Sequence, residues 1–253
     1  MKKYSHSIRM ICILLISSII LSCQGDNPNG NGSDDKLEPI SSGIVVNHSY
    51  YSLAYSEAHE GAVWVFYHLT PEFVNGTAVR KDNFKIDPDV SISSATLEDY
   101  VGSGYDRGHL CPAAAMKINQ TAMDESFYMS NMSPQHLSCN RGRWKSLETK
   151  VRDWVITEGE LYVVSGPIFH DNIESIGVSE VTVPGYYYKV IYNNDDKMIG
   201  FILPNEKCDN DLIEYVVSID SIEELTEIDF FSVLSDDIEY SLESSIQTSE
   251  WDF

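Results

Sequence analysis

The chain has 253 residues, 43% of them hydrophobic, enough for one large domain or at most two small ones. It carries 39 acids against 17 bases, a formal net charge of −22 at pH 7, which excludes a surface uniformly attractive to polyanions. The acids are unevenly spread: residues 209–253 hold fourteen Asp/Glu and no Lys or Arg, whereas residues 136–152 hold five Lys/Arg against one acid, Glu148.

The N-terminus reads as an export signal. Lys2, Lys3 and Arg9 form a basic region, and the run from Ile8 to Ser22 is too short and too Ser-rich for a stable membrane span. It ends in Ile20-Leu21-Ser22-Cys23, which resembles a bacterial lipobox. On that reading residues 1–22 are a lipoprotein signal peptide and Cys23 becomes the lipidated N-terminus, attached to the membrane. An ordinary signal peptide cleaved elsewhere is the alternative. Residues 23–42 have the composition of a flexible tether, and Ser33-Asp34-Asp35 resembles the acidic tags of some surface lipoproteins. The expected location is the cell envelope, as an outer-membrane lipoprotein facing the periplasm or the surface. The signal carries three bases and no acids, so its loss leaves a charge of about −25.

The folded domain is expected over residues 43–253. Val45 to Tyr55 and Gly61 to Leu69 read as strands, rich in β-branched and aromatic residues, and Asn75-Gly76 is a turn signal. Arg80 to Pro88 is a polar loop. Thr121 to Phe127 predicts a short helix and Tyr128 to Met132 a strand. From Arg141 the pattern turns helical, with Trp144, Leu147, Val151, Trp154 and Val155 at three- and four-residue spacing and a glycine stop at Gly159. Leu161 to Ser165 is an apolar strand. Tyr186 to Tyr192 and Met198 to Leu203 predict a hairpin turning at residues 193–196, and Ile222–Leu225, Phe230–Leu234 and Ile238–Ile246 predict closing helices. There is no internal repeat and no second linker, so a single α+β domain is expected.

The residues with chemistry fall in two blocks, Tyr105-Asp106-Arg107-Gly108-His109-Leu110-Cys111-Pro112 and Asn140-Arg141-Gly142-Arg143-Trp144 with Glu148. Hydrolysis of a phosphodiester needs a deprotonated water, neutralisation of phosphate charge and a stabilised leaving oxygen. His109 suits the first task, because imidazole titrates near neutral pH. A divalent metal serves the other two, and a hard ion such as Mg²⁺ accepts a neutral amide oxygen while keeping most of its waters. Asn140 is the candidate ligand, with Glu148 organising the waters of the metal and Arg107 clamping phosphate. A helix N-terminus near Asn140 would add N–H donors toward the phosphate. Singly, each residue has a structural explanation; Asn140, for instance, could be a helix cap.

Both blocks, with Ser130-Asn131-Met132-Ser133-Pro134-Gln135 between them, resemble the DNA/RNA non-specific endonuclease family, whose site carries an Asp-Arg-Gly-His signature. The resemblance covers most of residues 45–253, including Val163-Val164-Ser165-Gly166-Pro167 and Phe201-Ile202-Leu203-Pro204-Asn205. It implies a ββα-metal (His-Me finger) fold, a central antiparallel sheet flanked by helices. It further implies Mg²⁺-dependent cleavage of DNA and RNA without sequence preference, leaving 5′-phosphate and 3′-hydroxyl ends, with Mn²⁺ or another divalent cation as substitute. By position His109 matches the general base, Asn140 the metal ligand, Arg107 and Glu148 the phosphate and metal-water partners, Asn131 a supporting residue and Arg80 a further phosphate-binding arginine. Two departures stand out. Ala115 occupies a position that is often acidic in related bacterial proteins, and Cys139 precedes the metal amide.

Cys111, Cys139 and Cys208 remain once Cys12 leaves with the signal and Cys23 is lipidated. A Cys111–Cys139 disulfide is the favoured pairing, and a zinc site of His109, Cys111, His136 and Cys139 a competing one. The functional rivals are an envelope lipoprotein that binds nucleic acid with little turnover, and a phosphodiesterase restricted to small nucleotides.

Overall fold

The computed structural model describes residues 37–90, 94–169, 174–194 and 197–253. The signal peptide, Cys23 and most of the tether lie outside the described residues. Seven antiparallel strands form one sheet. β1 (Ile44–Asn47), β2 (Ser52–Ser56) and β3 (Gly61–Leu69) start at one edge. β6 (Leu161–Ile168), β9 (Tyr186–Asn193), β10 (Lys197–Pro204) and β11 (Val216–Val217) complete it, in the order β1-β2-β3-β6-β9-β10-β11. This is the α+β arrangement expected, with helices on both sides of a central antiparallel sheet.

Strict alternation gives the sheet two apolar faces. On β9, Tyr187 and Ile191 face one core, which holds Trp144, Leu147, Val151 and Trp154 of the long helix. Tyr188, Val190 and Tyr192 face the other, with Ile219, Ile222 and Leu242. The front layer is carried by α1 (Pro71–Asn75), α2 (Leu97–Tyr100), α3 (Gln120–Glu125), the one-turn α4 (Leu137–Cys139) and α5 (Lys145–Glu158). Its hairpin β4 (Tyr105–His109) and β5 (Met132–His136) is separate from the main sheet, as is the small pair β7 (Glu174–Ile176) and β8 (Val181–Val183). The rear layer is α6 (Ile219–Thr226) and α7 (Asp236–Glu243).

Four sequence expectations need correction. The segment Val45–Tyr55 is a hairpin, because His48 donates its backbone N–H to the Tyr51 carbonyl (2.9 Å) and turns the chain. Residues Met129–Asn131 are a 3₁₀ turn and the strand begins at Met132; the turn lets Asn131 point back at Cys111. Phe230–Leu234 is not helical: Phe231 has φ 55° and both phenyl rings are buried against the rear of the sheet, so burial overrides helical spacing. The helix from Arg141 is interrupted, since Gly142 (φ −103°, ψ −113°) breaks the helical path and only Lys145–Glu158 is regular α-helix.

Candidate active site

The β4–β5 hairpin and α5 converge on the front of the sheet. Gly108 is required there because a Cβ would meet the Gln135 side chain at 2.1 Å, and Gln135 is wholly buried. That close crossing fixes the hairpin on which Arg107 and His109 share one face, two residues apart. Asn131 clamps the exit of β4. Its Oδ1 accepts from the Cys111 N–H (2.8 Å), while its Nδ2 donates to the carbonyls of Cys111 (2.9 Å) and Ser126 (2.8 Å). Asn131 thereby anchors the chain two residues beyond His109. Ser130 donates to Asp87, tying the adjacent loop to the same turn.

The His109 imidazole lies between Phe127 (centroids 5.0 Å apart) and Phe84 (5.8 Å). Its Nε2 is buried with no hydrogen-bond partner. Burial, with the positive charges of Arg80 and Arg107, pulls its pKa down to about 3, so the ring is neutral near pH 7. Both arginines are held by aromatic faces: the Arg107 guanidinium sits 4.3 Å from the Phe84 centroid, and that of Arg80 5.1 Å from Phe127. Arg80 also pairs with Asp82 (2.6 Å). Its field reaches Glu148 as well as His109, so the loop arginine belongs with the other site residues.

Asp106, the first residue of the Asp-Arg-Gly-His signature, joins the two blocks. Its Oδ2 accepts from Asn140 Nδ2 (3.0 Å) and from Arg141 Nε (2.8 Å), and its Oδ1 from Arg141 Nη2 (2.6 Å). Those bonds hold the Asp106 carboxyl below its usual range, against the upward push of burial. They also assign the Asn140 amide: with the nitrogen facing Asp106, the carbonyl oxygen is the end left to accept a cation. The donor set thus suits a hard divalent ion. Asn140 itself continues the α4 turn rather than opening a free helix N-terminus, which corrects the expected dipole contribution there.

Trp144 joins the two halves of the site by donating its indole N–H to the His109 carbonyl (3.3 Å). The next turn of α5 presents Glu148, whose carboxyl is raised by burial and pulled back by Lys189, Arg152 and Arg80. Lys189 is the residue that sequence reasoning missed. It is fully buried, donates to Ser165 and to Tyr67 Oη (3.2 Å), and packs 4.5 Å from the Trp144 ring centroid. Burial lowers its pKa to about 8, with Glu148 opposing the fall. The available signal was a lysine at an inward position within Tyr186-Tyr187-Tyr188-Lys189-Val190-Ile191-Tyr192.

The cysteines and Ala115 also differ from expectation. Cys111, Cys139 and Cys208 are free thiols, and the Cys139 thiol neighbours Cys208, not Cys111. Cys111 and Cys139 both lie in the front core as free thiols, so the expected disulfide between them is not formed. His109, Cys111, His136 and Cys139 form no ligand group among the described residues. Ala115 is buried in the front core and makes apolar contacts there.

The DNA/RNA non-specific endonuclease family matches residues 35–237. The chain belongs to that family. It is 38% identical over 212 residues to mitochondrial nuclease EXOG of Xenopus laevis, covering 76% of this chain and 58% of the relative. It is 35% identical over 228 residues to nuclease C1 of Cunninghamella echinulata var. echinulata (82% of this chain, 90% of the relative). The chain thus spans just over half of the EXOG protein but most of nuclease C1. Among solved structures, the EndoG/EndoGI complex, concerned with the mechanism of EndoG inhibition, aligns with TM-score 0.71 at 32% identity, covering 77% of this chain and 88% of that one. The family is divalent-metal dependent, and a further group of this chain, His48, Asp87 and Asp89, could bind a metal ion. There the imidazole lies 3.0 Å from Asp87 and 3.7 Å from Asp89, which equally suits a histidine bridging two carboxylates.

Proposed function

We propose that the chain is a metal-dependent, sequence-non-specific endonuclease that hydrolyses phosphodiester bonds of DNA and RNA, leaving 5′-phosphate and 3′-hydroxyl ends. The observation that carries this reading is the meeting of a neutral histidine, whose Nε2 has no partner, with two arginines and an amide oxygen freed by Asp106. His109 takes the proton of the attacking water at Nε2, for which a neutral ring is required. Arg107 and Arg80 present guanidinium groups to phosphate oxygens, and their aromatic supports limit the freedom lost on binding. Asn140 would hold Mg²⁺, with Glu148 organising the waters of the ion. When bound, the ion would neutralise charge on the phosphate and the departing oxygen. Every group named addresses phosphate, water or metal and none reads a base edge, in keeping with sequence tolerance.

A plasmid-nicking and RNA-degradation assay on the full chain, with EDTA and then added Mg²⁺, tests the proposal. His109→Ala should lower turnover by about 10²–10⁴-fold while substrate still binds. Asn140→Ala should raise the Mg²⁺ concentration needed for half-maximal rate, and Glu148→Ala should do so more mildly. An active His109→Ala protein, or unchanged Mg²⁺ dependence in Asn140→Ala, would overturn the assignment. Cleavage of a small chromogenic diester without cleavage of DNA or RNA would favour the narrower phosphodiesterase.

The lipobox-like Ile20-Leu21-Ser22-Cys23 supports anchoring in the cell envelope through lipidated Cys23. Labelling with a palmitate analogue should mark the wild type and not Cys23→Ala. Equal labelling of both rejects the anchor.

A further inference from the structure

On the rear of the sheet, away from the residues assigned to catalysis, three carboxylates from two helices converge. Asp220 and Glu223 lie three residues apart on α6, hence on one face, and Glu243 is the last residue of α7. One carboxylate oxygen of each lies within 4.8 Å of the others. Glu243 is 6% exposed, and its Oε1 is buried with no hydrogen-bond partner. The field at Glu243 comes from more acids, Glu239 and Asp229. Among the described residues none of Asp220, Glu223, Glu239 and Glu243 is in an ion pair, and residues 209–253 contain no lysine or arginine to supply one.

An arrangement of this kind is costly as it stands. A buried carboxylate oxygen with no donor loses its hydration, and like charges at this spacing repel. A cation would relieve both costs at once. Oxygens ringed around Ca²⁺ at about 2.4 Å stand no more than about 4.8 Å apart, and the three oxygens here lie within that limit of one another. Ca²⁺ suits the set better than Mg²⁺, since it accepts several carboxylates directly, tolerates irregular geometry and sheds water readily. We infer that Asp220, Glu223 and Glu243 form a structural Ca²⁺ site, distinct from the catalytic metal, that fastens α6 to α7 on the rear of the sheet. The ion would also brace the intervening turn, where Glu223 Oε1 already accepts the Phe230 N–H (2.9 Å) and Glu227 and Phe231 have φ of 57° and 55°.

The test uses the full chain carrying Asn140→Ala, so that the proposed catalytic ligand does not contribute. Equilibrium dialysis against ⁴⁵Ca²⁺ should find about one ion per chain. Ca²⁺ in excess over its dissociation constant should raise the Tm by on the order of 5 °C. Adding Glu223→Gln or Glu243→Gln should abolish both effects. In EDTA these isosteric changes should leave the Tm unchanged or higher, because they remove repulsion without changing shape. In an otherwise wild-type chain, Glu223→Gln should leave the Mg²⁺-dependent nicking rate unchanged. The inference fails if no Ca²⁺ binds the Asn140→Ala protein. It fails equally if the Tm shift survives both glutamine substitutions, which would place the ion elsewhere, His48–Asp87–Asp89 included. An EDTA-stable protein whose Tm ignores Ca²⁺ would show that the carboxylates share a proton instead.

Discussion

At His109 the proton-accepting nitrogen is left bare, while two arginines and two phenyl rings surround the imidazole. A histidine in water is half-protonated near pH 6.5, and here the charged form is disfavoured down to about 3. The sign follows: below pH 6.5 the unfolded chain binds a proton that the folded chain refuses, so this residue lowers stability as pH falls toward 3. For catalysis the same shift keeps the base available, and the acid limb of kcat/KM should show no one-proton inflection near 6.5. A pH–rate profile whose midpoint lies at the ordinary imidazole value would show that the ring is not held neutral. Asp106 acts one step back, by turning the Asn140 amide. Asp106→Asn would trade an acceptor for a group able to donate, releasing Asn140 and Arg141 together. The half-saturating Mg²⁺ concentration should rise roughly 10–100-fold, as for loss of a partner behind a metal ligand. Normal Mg²⁺ affinity in Asp106→Asn, measured by titration of the nicking rate, would remove the positioning role. Asp106 could be quoted from the sequence, yet its task could not, because its partners lie 34 and 35 residues away.

Elements differ in how far their residues announce them. The strands of the main sheet and the α5 stripe were legible because burial on one or both faces imposes period 2 or period 3.6 directly. The break between β1 and β2 was not, since the turn residues His48-Ser49-Tyr50-Tyr51 carry no glycine, proline or asparagine. The Phe230–Leu234 segment misled because two adjacent buried phenyl rings look helical only when the sheet beneath them is unknown. Lys189 was hidden by the reverse effect: a charge within an apolar strand needs partners, and these, Ser165, Tyr67 and the Trp144 ring, arrive from other elements. Lys189 and Glu148 also act on each other through their charges, which couples β9 to α5. Lys189→Met strips Ser165 and Tyr67 of their buried donor and removes a positive charge that acts on Glu148, and should destabilise by about 1–3 kcal/mol, the usual cost of leaving buried polar groups unsatisfied. Lys189→Met with Glu148→Gln should recover part of that loss, a coupling that denaturant unfolding of the two singles and the double can measure. Strict additivity in that cycle would mean the two charges are not coupled.

Across the whole molecule the charge pattern sets two electrostatic regimes against each other. The chain carries −22, and the only charged side chains of its C-terminal 45 residues are fourteen acids, yet Arg80, Arg107 and Arg141 gather on the front with His109 and Asn140. On the proposed function, a nucleic acid approaching from a distance would meet the net charge and be repelled, and once seated its phosphates would meet guanidinium groups. Salt acts on these terms over different ranges. The Debye length is about 30 Å at 0.01 M and about 10 Å at 0.1 M, so moderate salt cancels the long-range repulsion while leaving contacts within a few ångströms largely intact. Further salt weakens the contacts too, through the loss of counterion release. The nicking rate at subsaturating DNA and constant Mg²⁺ should therefore pass through a maximum as NaCl rises from about 0.01 M to about 0.3 M. Replacing several surface acids of the C-terminal region outside the Asp220–Glu223–Glu243 group, such as Asp209, Asp236 and Asp237, by their amides should move that maximum to lower salt. A rate that only falls with salt, in both proteins alike, would show that the acidic region lies too far from the path of the substrate to influence it.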